Sequence, residues 1–362
     1  MTEELLHPDK ALAMVLAATL ALDPVELTLD HALDHVIVDD VHAAEDVPLC
    51  DISAMDGFAV RAADVAAATG AVPVALTVSG YIPAGRTADR PLAPGECMRI
   101  MTGGPLPEGA DAVIKQEDTR GAETPDAKRV EILASAAKGV HVFPRGEDIR
   151  KGQVIVPAGT CLRPQELGVL ASVGVWTVRV RPRPRVAVLA TGDELVPAYA
   201  SVAPGLVRSS NSLTMVNQAR RYGAVPQDLG IARDTLADIL GRLRSAERPD
   251  IVITSGGSAK GDKDFSEAAL LELGVGIQFH RVAIKPGKPV LFGVQGRTLY
   301  FGLPGNPVAS MLTFELFVRP AILKMRGLTR LAKRTAPAVL QEDVAGRAPW
   351  GEKPPQARLR PS

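Results

Sequence analysis

Apolar positions change their spacing along this chain, and each change marks a change of architecture. Residues 10–22 are rich in Ala, Leu, Met and Val, follow Asp9 and stop before Pro24. They predict a helix with Asp9 as its cap. From about residue 47 to 137, short β-rich runs at 72–79, 96–101 and 112–116 alternate with Pro and Gly turns. That is the pattern of a small all-β module. Further strands are predicted at 154–157 and 175–180, with a helix at 164–173 between them.

Beyond residue 185 the period alternates between strand and helix. Strands are predicted at 186–190, 250–254, 290–294 and 298–303, the last two joined by the Gln295-Gly296 turn. Helices are predicted at 210–222, ended by Gly223, and from an Asp234 cap to about 247. Asp264 with Glu267 has the form of a capping box for a helix to 273. Asn306 and Pro307 are a cap and first-turn pair for a long helix to about 325. Strands alternating with helices imply a doubly wound, mostly parallel sheet in an α/β multidomain chain. The expected division is 1–180 for the N-terminal and linker region, 181–327 for the α/β domain, and 328–362 for a Pro-punctuated remnant without apolar periodicity, read as disordered.

Composition mainly excludes. Lys plus Arg and Asp plus Glu are both 41, so the formal net charge is zero, which argues against a strong non-specific nucleic-acid binder. The run from Arg179 to Arg185 alternates Arg with Val and Pro and holds no aromatics. A nucleic-acid arm and a stiff interdomain linker both fit it, and the linker fits better. Cys50, Cys97 and Cys161 have no paired spacing and read as reduced, buried thiols. The six histidines lack metal-ligand spacing, and His31 and His35 are read as surface residues. The longest apolar run is too short to span a bilayer, and the acidic start is unlike a secretory signal. A cytoplasmic protein with no membrane or nucleic-acid partner is expected.

The chemistry-bearing residues follow the predicted strands. Thr191-Gly192-Asp193-Glu194 puts two carboxylates at the carboxyl end of a strand, where open α/β sheets bind ligands; a helix cap with an acidic first turn fits the same residues. Ser255-Gly256-Gly257 and Gly302-Leu303-Pro304-Gly305-Asn306-Pro307 occupy equivalent places after two other strands. Three such loops converge on one crevice of bare backbone N–H groups, suited to a phosphorylated ligand. Lys285-Pro286-Gly287-Lys288-Pro289 is a stiff loop with two ammonium groups, fit for an oxyanion or phosphate. In the first half, Asp56-Gly57, Met101-Thr102-Gly103-Gly104 and Arg145-Gly146-Glu147-Asp148 read from local chemistry as turns.

Together and in this order, these motifs resemble the molybdopterin molybdotransferase family, which inserts molybdenum into adenylylated molybdopterin and includes the E domain of gephyrin. The matching segments are Ser53-Ala54-Met55-Asp56-Gly57, Arg99-Ile100-Met101-Thr102-Gly103, Gly146-Glu147-Asp148, Thr191-Gly192-Asp193-Glu194-Leu195, Ser255-Gly256-Gly257, the Lys285–Lys288 loop and the Gly302–Pro307 turn. The resemblance implies an elongated homodimer whose site lies between the α/β domain of one subunit and the β module of the other. It implies that Asp56, Thr102 and Asp148 face the cleft from one side and Glu194, Asp234 and Asp264 from the other. Lys285 and Lys288 would hold molybdate; Gly256, Gly257, Pro304, Gly305 and Asn306 would cradle the pterin phosphate, and Asn211, Asp234 and Pro307 would also bind substrate. Asp56, Glu194 and Asp264 would hold Mg²⁺, with molybdate and molybdopterin-AMP as substrates. Asp56, Thr102, Asp148, Glu194, Asp264 and Lys285 are the implied catalytic set.

Contacts with an adenylyltransferase and with molybdoenzymes are part of the same expectation. Here Gly257 is followed by Ser258-Ala259-Lys260 where the family usually has Val-Ser, and the family's C-terminal β-barrel domain is expected to be missing after Gly327. Two other readings stand beside the transferase: a molybdopterin adenylyltransferase, and a non-catalytic molybdopterin-binding or scaffold member.

Overall fold

The computed structural model describes residues 5–121, 127–256 and 265–333. The chain forms two compact units. One takes residues 1–25, 34–38 and 180–362; the other takes 26–33 and 39–179.

The first unit is built on a six-stranded sheet in the order Val225–Ala232, Arg185–Thr191, Ile251–Ser255, Thr298–Leu303, Leu291–Gln295, Gly276–His280. The first four strands run parallel, and Leu291–Gln295 runs antiparallel to both of its neighbours. Ile251–Ser255 is buried throughout, as is Arg185–Thr191 after its first residue, because both faces are covered. Alternate side chains feed two cores. Val186, Val188, Ile251, Ile253 and Phe301 pack on one face. Ala187, Leu189, Val252 and Tyr300 pack on the other, with Ile239 and Leu270 from the helices Leu236–Arg244 and Phe265–Glu272. The sheet is therefore doubly wound, as its alternating pattern predicts.

Several local readings change. The N-terminal helix spans Pro8–Ala18, and the His7 ring, not Asp9, accepts the first-turn N–H, because Pro8 with its fixed φ begins the helix two residues earlier. This helix places Ala11 and Val15 in the α/β core. Thr235 rather than Asp234 caps Leu236–Arg244, accepting the Asp238 N–H at 3.3 Å. Asp234 is thereby left for other partners. Asn306 does cap the next helix through Ala309 N–H at 3.1 Å, with Pro307 in its first turn. That helix passes through a π-turn, Phe314–Val318, before Arg319–Met325.

The Pro/Arg run is a set of brackets. Arg183 donates to Gly223 O at 3.1 Å and Arg185 to Glu247 O at 3.3 Å, while Arg181 donates to Leu22 O. These guanidinium groups are engaged with backbone carbonyls of other segments of the chain.

The second unit contains a six-stranded sheet in the order Ala112–Lys115, Gly57–Val60, Glu96–Ile100, Val74–Ile82, Arg129–Ile132, Thr119–Arg120. Its core includes Phe58, Val60, Leu76, Ile114 and Ile132. Cys97 lies in that core, and burial pushes its thiol up to about 12, so it is inert. Cys50 is exposed, contrary to the expectation of buried thiols throughout, because it lies in an irregular surface segment. Asp56-Gly57 is not a hairpin turn. Ile52–Ser53 pairs with Val142–Phe143, whereas Gly57–Val60 pairs with Glu96–Ile100 and Ala112–Lys115.

Candidate functional site

The carboxyl ends of the three central parallel strands open into a pocket of about 120 Å³. Thr191 and Glu194 line it from the first strand, Ser255 and Gly256 from the second, and Gly305 and Pro307 from the turn after the third. Ser210 and Asn211 add the start of the helix Ser210–Arg221. The loops are tied together by one amide: Asn211 Nδ2 donates to Ser255 Oγ and to Gly305 O, both at 2.8 Å. Ser255 Oγ in turn donates to Pro304 O at 3.4 Å. The crossing of loops is close. Gly256 has φ 106°, a Cβ there would collide with Thr191 O, and its position lies 3.7 Å from where a Gly305 Cβ would stand. Only glycine allows this approach.

The helix that opens on the pocket has no side chain capping its N-terminus, since Ser209 Oγ bonds Ser212 Oγ at 2.9 Å instead. Its first N–H groups and the helix dipole favour an anion there. A larger cavity of about 710 Å³ adjoins, sharing Leu195 and Ser209 as walls and lined further by Asp193, Tyr199, Leu213 and Arg233. Its volume is in the range of small-molecule sites.

Carboxylates gather beside the pocket. Asp234 N–H donates to Asp193 Oδ1 at 3.1 Å. Partial burial raises the Asp234 carboxyl above the usual carboxylate range; a hydrogen bond from the Asp193 backbone pulls it back, and the charges of Asp193 and Glu194 push it up again. Among the described residues no group of three or more His, Cys, Asp or Glu side chains is arranged to hold a metal alone. Mg²⁺ is commonly held by one or two carboxylates plus substrate phosphates, so the oxygen donors present are chemically suited to it. Asp264 and Gly257, expected at this site, lie outside the described residues.

Lys285 and Lys288 are exposed and do not line the small pocket. Their loop precedes Leu291–Gln295, which runs antiparallel to Thr298–Leu303 with Leu291 opposite Gly302. The loop therefore sits at the same edge of the sheet as Ser255 and Leu303. It is pinned there by Gly287, whose missing Cβ would lie 2.7 Å from the Thr313 methyl.

In the second unit the structure brings two predicted residues into contact. Thr102 donates both its backbone N–H and its hydroxyl to Asp56 Oδ1, each at 2.7 Å. These two bonds, with the charge of Arg99, hold the Asp56 carboxyl below its ordinary value. Asp148 is exposed; its N–H donates to Val47 O at 3.0 Å, and among the described residues its side chain makes no bond to Asp56 or Thr102. Sequence reasoning passed over Thr191 and Ser255 as individual site residues, while Asp193 was read only as one of two strand-end carboxylates. Their position at strand ends was the available signal.

An α/β sheet with an anion-suited crevice at its switch region is the class of a phosphorylated-ligand binder. Comparison with known families makes it specific. Residues 6–174 match the family model described as the MoeA N-terminal region (domain I and II). Residues 187–324 match the probable molybdopterin binding domain. A Bacillus subtilis protein named molybdopterin molybdenumtransferase is 37% identical over 82% of this chain and 69% of its own length. A Mycobacterium tuberculosis protein named molybdopterin molybdenumtransferase 2 is 38% identical over 85% of this chain and 76% of its own length. The crystal structure of the molybdopterin biosynthesis moea protein from Pyrococcus horikosii is similar, with a TM-score of 0.76 and 33% identity over 90% of this chain and 81% of that one. The chain belongs to the molybdopterin molybdenumtransferase family and is a transferase of molybdenum cofactor biosynthesis.

Proposed function

We propose that the chain inserts molybdate into adenylylated molybdopterin and releases AMP, leaving molybdenum on the dithiolene of molybdopterin. The observation that carries this reading is the pocket at the strand ends, where Asn211 ties Ser255 to Gly305 beside an uncapped helix N-terminus. It suits a phosphoanhydride. Asn211, Gly256, Pro304, Gly305, Asn306 and Pro307 hold the phosphate-bearing part of the substrate, together with Gly257. Lys285 and Lys288 supply two cations at the same sheet edge for molybdate. Asp234 and Asp193 orient each other beside the pocket.

Glu194, Asp264 and Asp56 are the carboxylates proposed to hold Mg²⁺, which when bound neutralises charge on the phosphoanhydride oxygens. The roles of Asp56, Thr102 and Asp148 rest on the motif resemblance and on the Asp56–Thr102 contact. A homodimer is part of the proposal, and light scattering of the purified chain tests it by mass.

The match to the MoeA N-terminal region favours this reaction over adenylyl transfer. The two are separated by product analysis. Supplied with molybdopterin-AMP and molybdate, the protein releases AMP; supplied with molybdopterin and ATP, it forms no molybdopterin-AMP. The reverse result would make it an adenylyltransferase.

A further inference from the structure

We propose that the buried hydroxyl of Thr191 is a hydrogen-bond donor kept for a phosphate oxygen of the substrate, an inference that rests on the phosphoanhydride reading of the pocket. Thr191 ends the strand Arg185–Thr191, is 2% exposed and lines the 120 Å³ pocket. Its Oγ1 is buried and, among the described residues, has no hydrogen-bond partner. Buried hydroxyls are nearly always paired, because burying one without a partner costs free energy. The other buried hydroxyls lining this pocket are engaged: Ser255 Oγ with Asn211 and Pro304 O, Ser209 Oγ with Ser212.

Two features beside Thr191 indicate what completes it. Gly256 passes so close that its Cβ, were there one, would lie 2.9 Å from Thr191 Oγ1, so only a residue without a side chain fits beside the hydroxyl. The uncapped N-terminus of Ser210–Arg221 opens into the same pocket. An anionic oxygen seated there is drawn by the helix terminus and supplies the acceptor that Thr191 lacks. Glu194 lines the same pocket, so the anion is one that tolerates a neighbouring carboxylate, as a phosphate sharing a cation does.

A second threonine provides the control. Thr254 is 1% exposed, and among the described residues its Oγ1 also has no partner. It pairs with Leu189 and Gly302 in the sheet and does not line the pocket. The two sites share their chemistry and differ in access to ligand.

The test is calorimetric binding of AMP to the full chain, with thermal melting of each variant in the absence of nucleotide. Thr191→Val is expected to weaken AMP binding about fivefold, the effect of one hydrogen bond. Its melting temperature is expected to stay level or rise, because a hydroxyl without a partner has been removed. Thr191→Ser retains the donor and binds within about twofold of the wild type. Thr254→Val binds AMP unchanged. Equal AMP affinity for the wild type and Thr191→Val overturns the role of Thr191 while leaving the reading of the pocket in place. Absence of AMP binding by the wild type overturns both. Loss of binding that Thr191→Ser fails to restore, or that Thr254→Val reproduces, assigns the effect to packing and overturns the proposal.

Discussion

Asn211 uses both hydrogens of its side-chain amide to join two loops that arise from different strands. Its loss frees Ser255 and Gly305 together. Asn211→Ala is expected to cost about 1–3 kcal/mol of stability, because partly buried acceptors lose their donor. AMP affinity should fall about tenfold or more, read by calorimetry beside a melting curve. Unchanged affinity would remove Asn211 from the site. Asp234 shows the electrostatic side of the same region. Its folded-state carboxyl is raised by burial and by the charges of Asp193 and Glu194. The folded chain thus holds that proton more tightly than the unfolded chain. The stability this provides is present below the ordinary carboxylate value and is lost as pH rises through the raised one. Asp234→Asn should remove that slope and raise stability at pH 7 by about 0.5 kcal/mol or more, measured by urea unfolding between pH 4 and 7. A slope unchanged in the variant would show that other carboxylates carry it.

At the scale of elements, the legible parts were those with strong local chemistry. The strand Thr298–Leu303 and the Asn306-Pro307 helix start were readable because a buried strand ran into a cap and a first-turn proline. The edge strands Val225–Ala232 and Gly276–His280 were not. Pro226 and Gly230 break the first, and each strand is only half-buried, so neither carries a continuous apolar run. Asp234 was read as a cap because an acidic residue before a helix ordinarily is one; Thr235, one residue on, took the role. Local sequence cannot choose between adjacent caps when the deciding partner, Asp193, is distant in the chain. The same holds for Thr191, whose lack of a partner exists only in three dimensions. The Asn306 cap itself is open to measurement. Asn306→Ala should cost about 1 kcal/mol. In a unit of this size that lowers the melting temperature by about 2–4 °C. No change would mean that Pro307 and packing alone fix the helix start.

For the whole molecule, order along the chain proved the strongest signal. Single motifs such as Asp56-Gly57 or Gly146-Glu147-Asp148 read as turns in isolation, and seven of them in sequence defined the family. Folding explains part of this spacing. Motifs in the second unit are joined by short ladders such as Ile52–Ser53 with Val142–Phe143, while those of the first unit meet at one sheet edge. In the proposed function, phosphate lies at the strand ends and molybdate at the Lys285–Lys288 loop. Among the described residues no helix is long and apolar enough to cross a membrane. The most direct test of the account is AMP release from molybdopterin-AMP by the purified chain, with and without molybdate, beside Lys285→Ala. Molybdate-dependent release by the wild type, reduced at least about tenfold in the variant, is the predicted result. Binding of molybdopterin-AMP with no release, or release equally fast in Lys285→Ala, would contradict it.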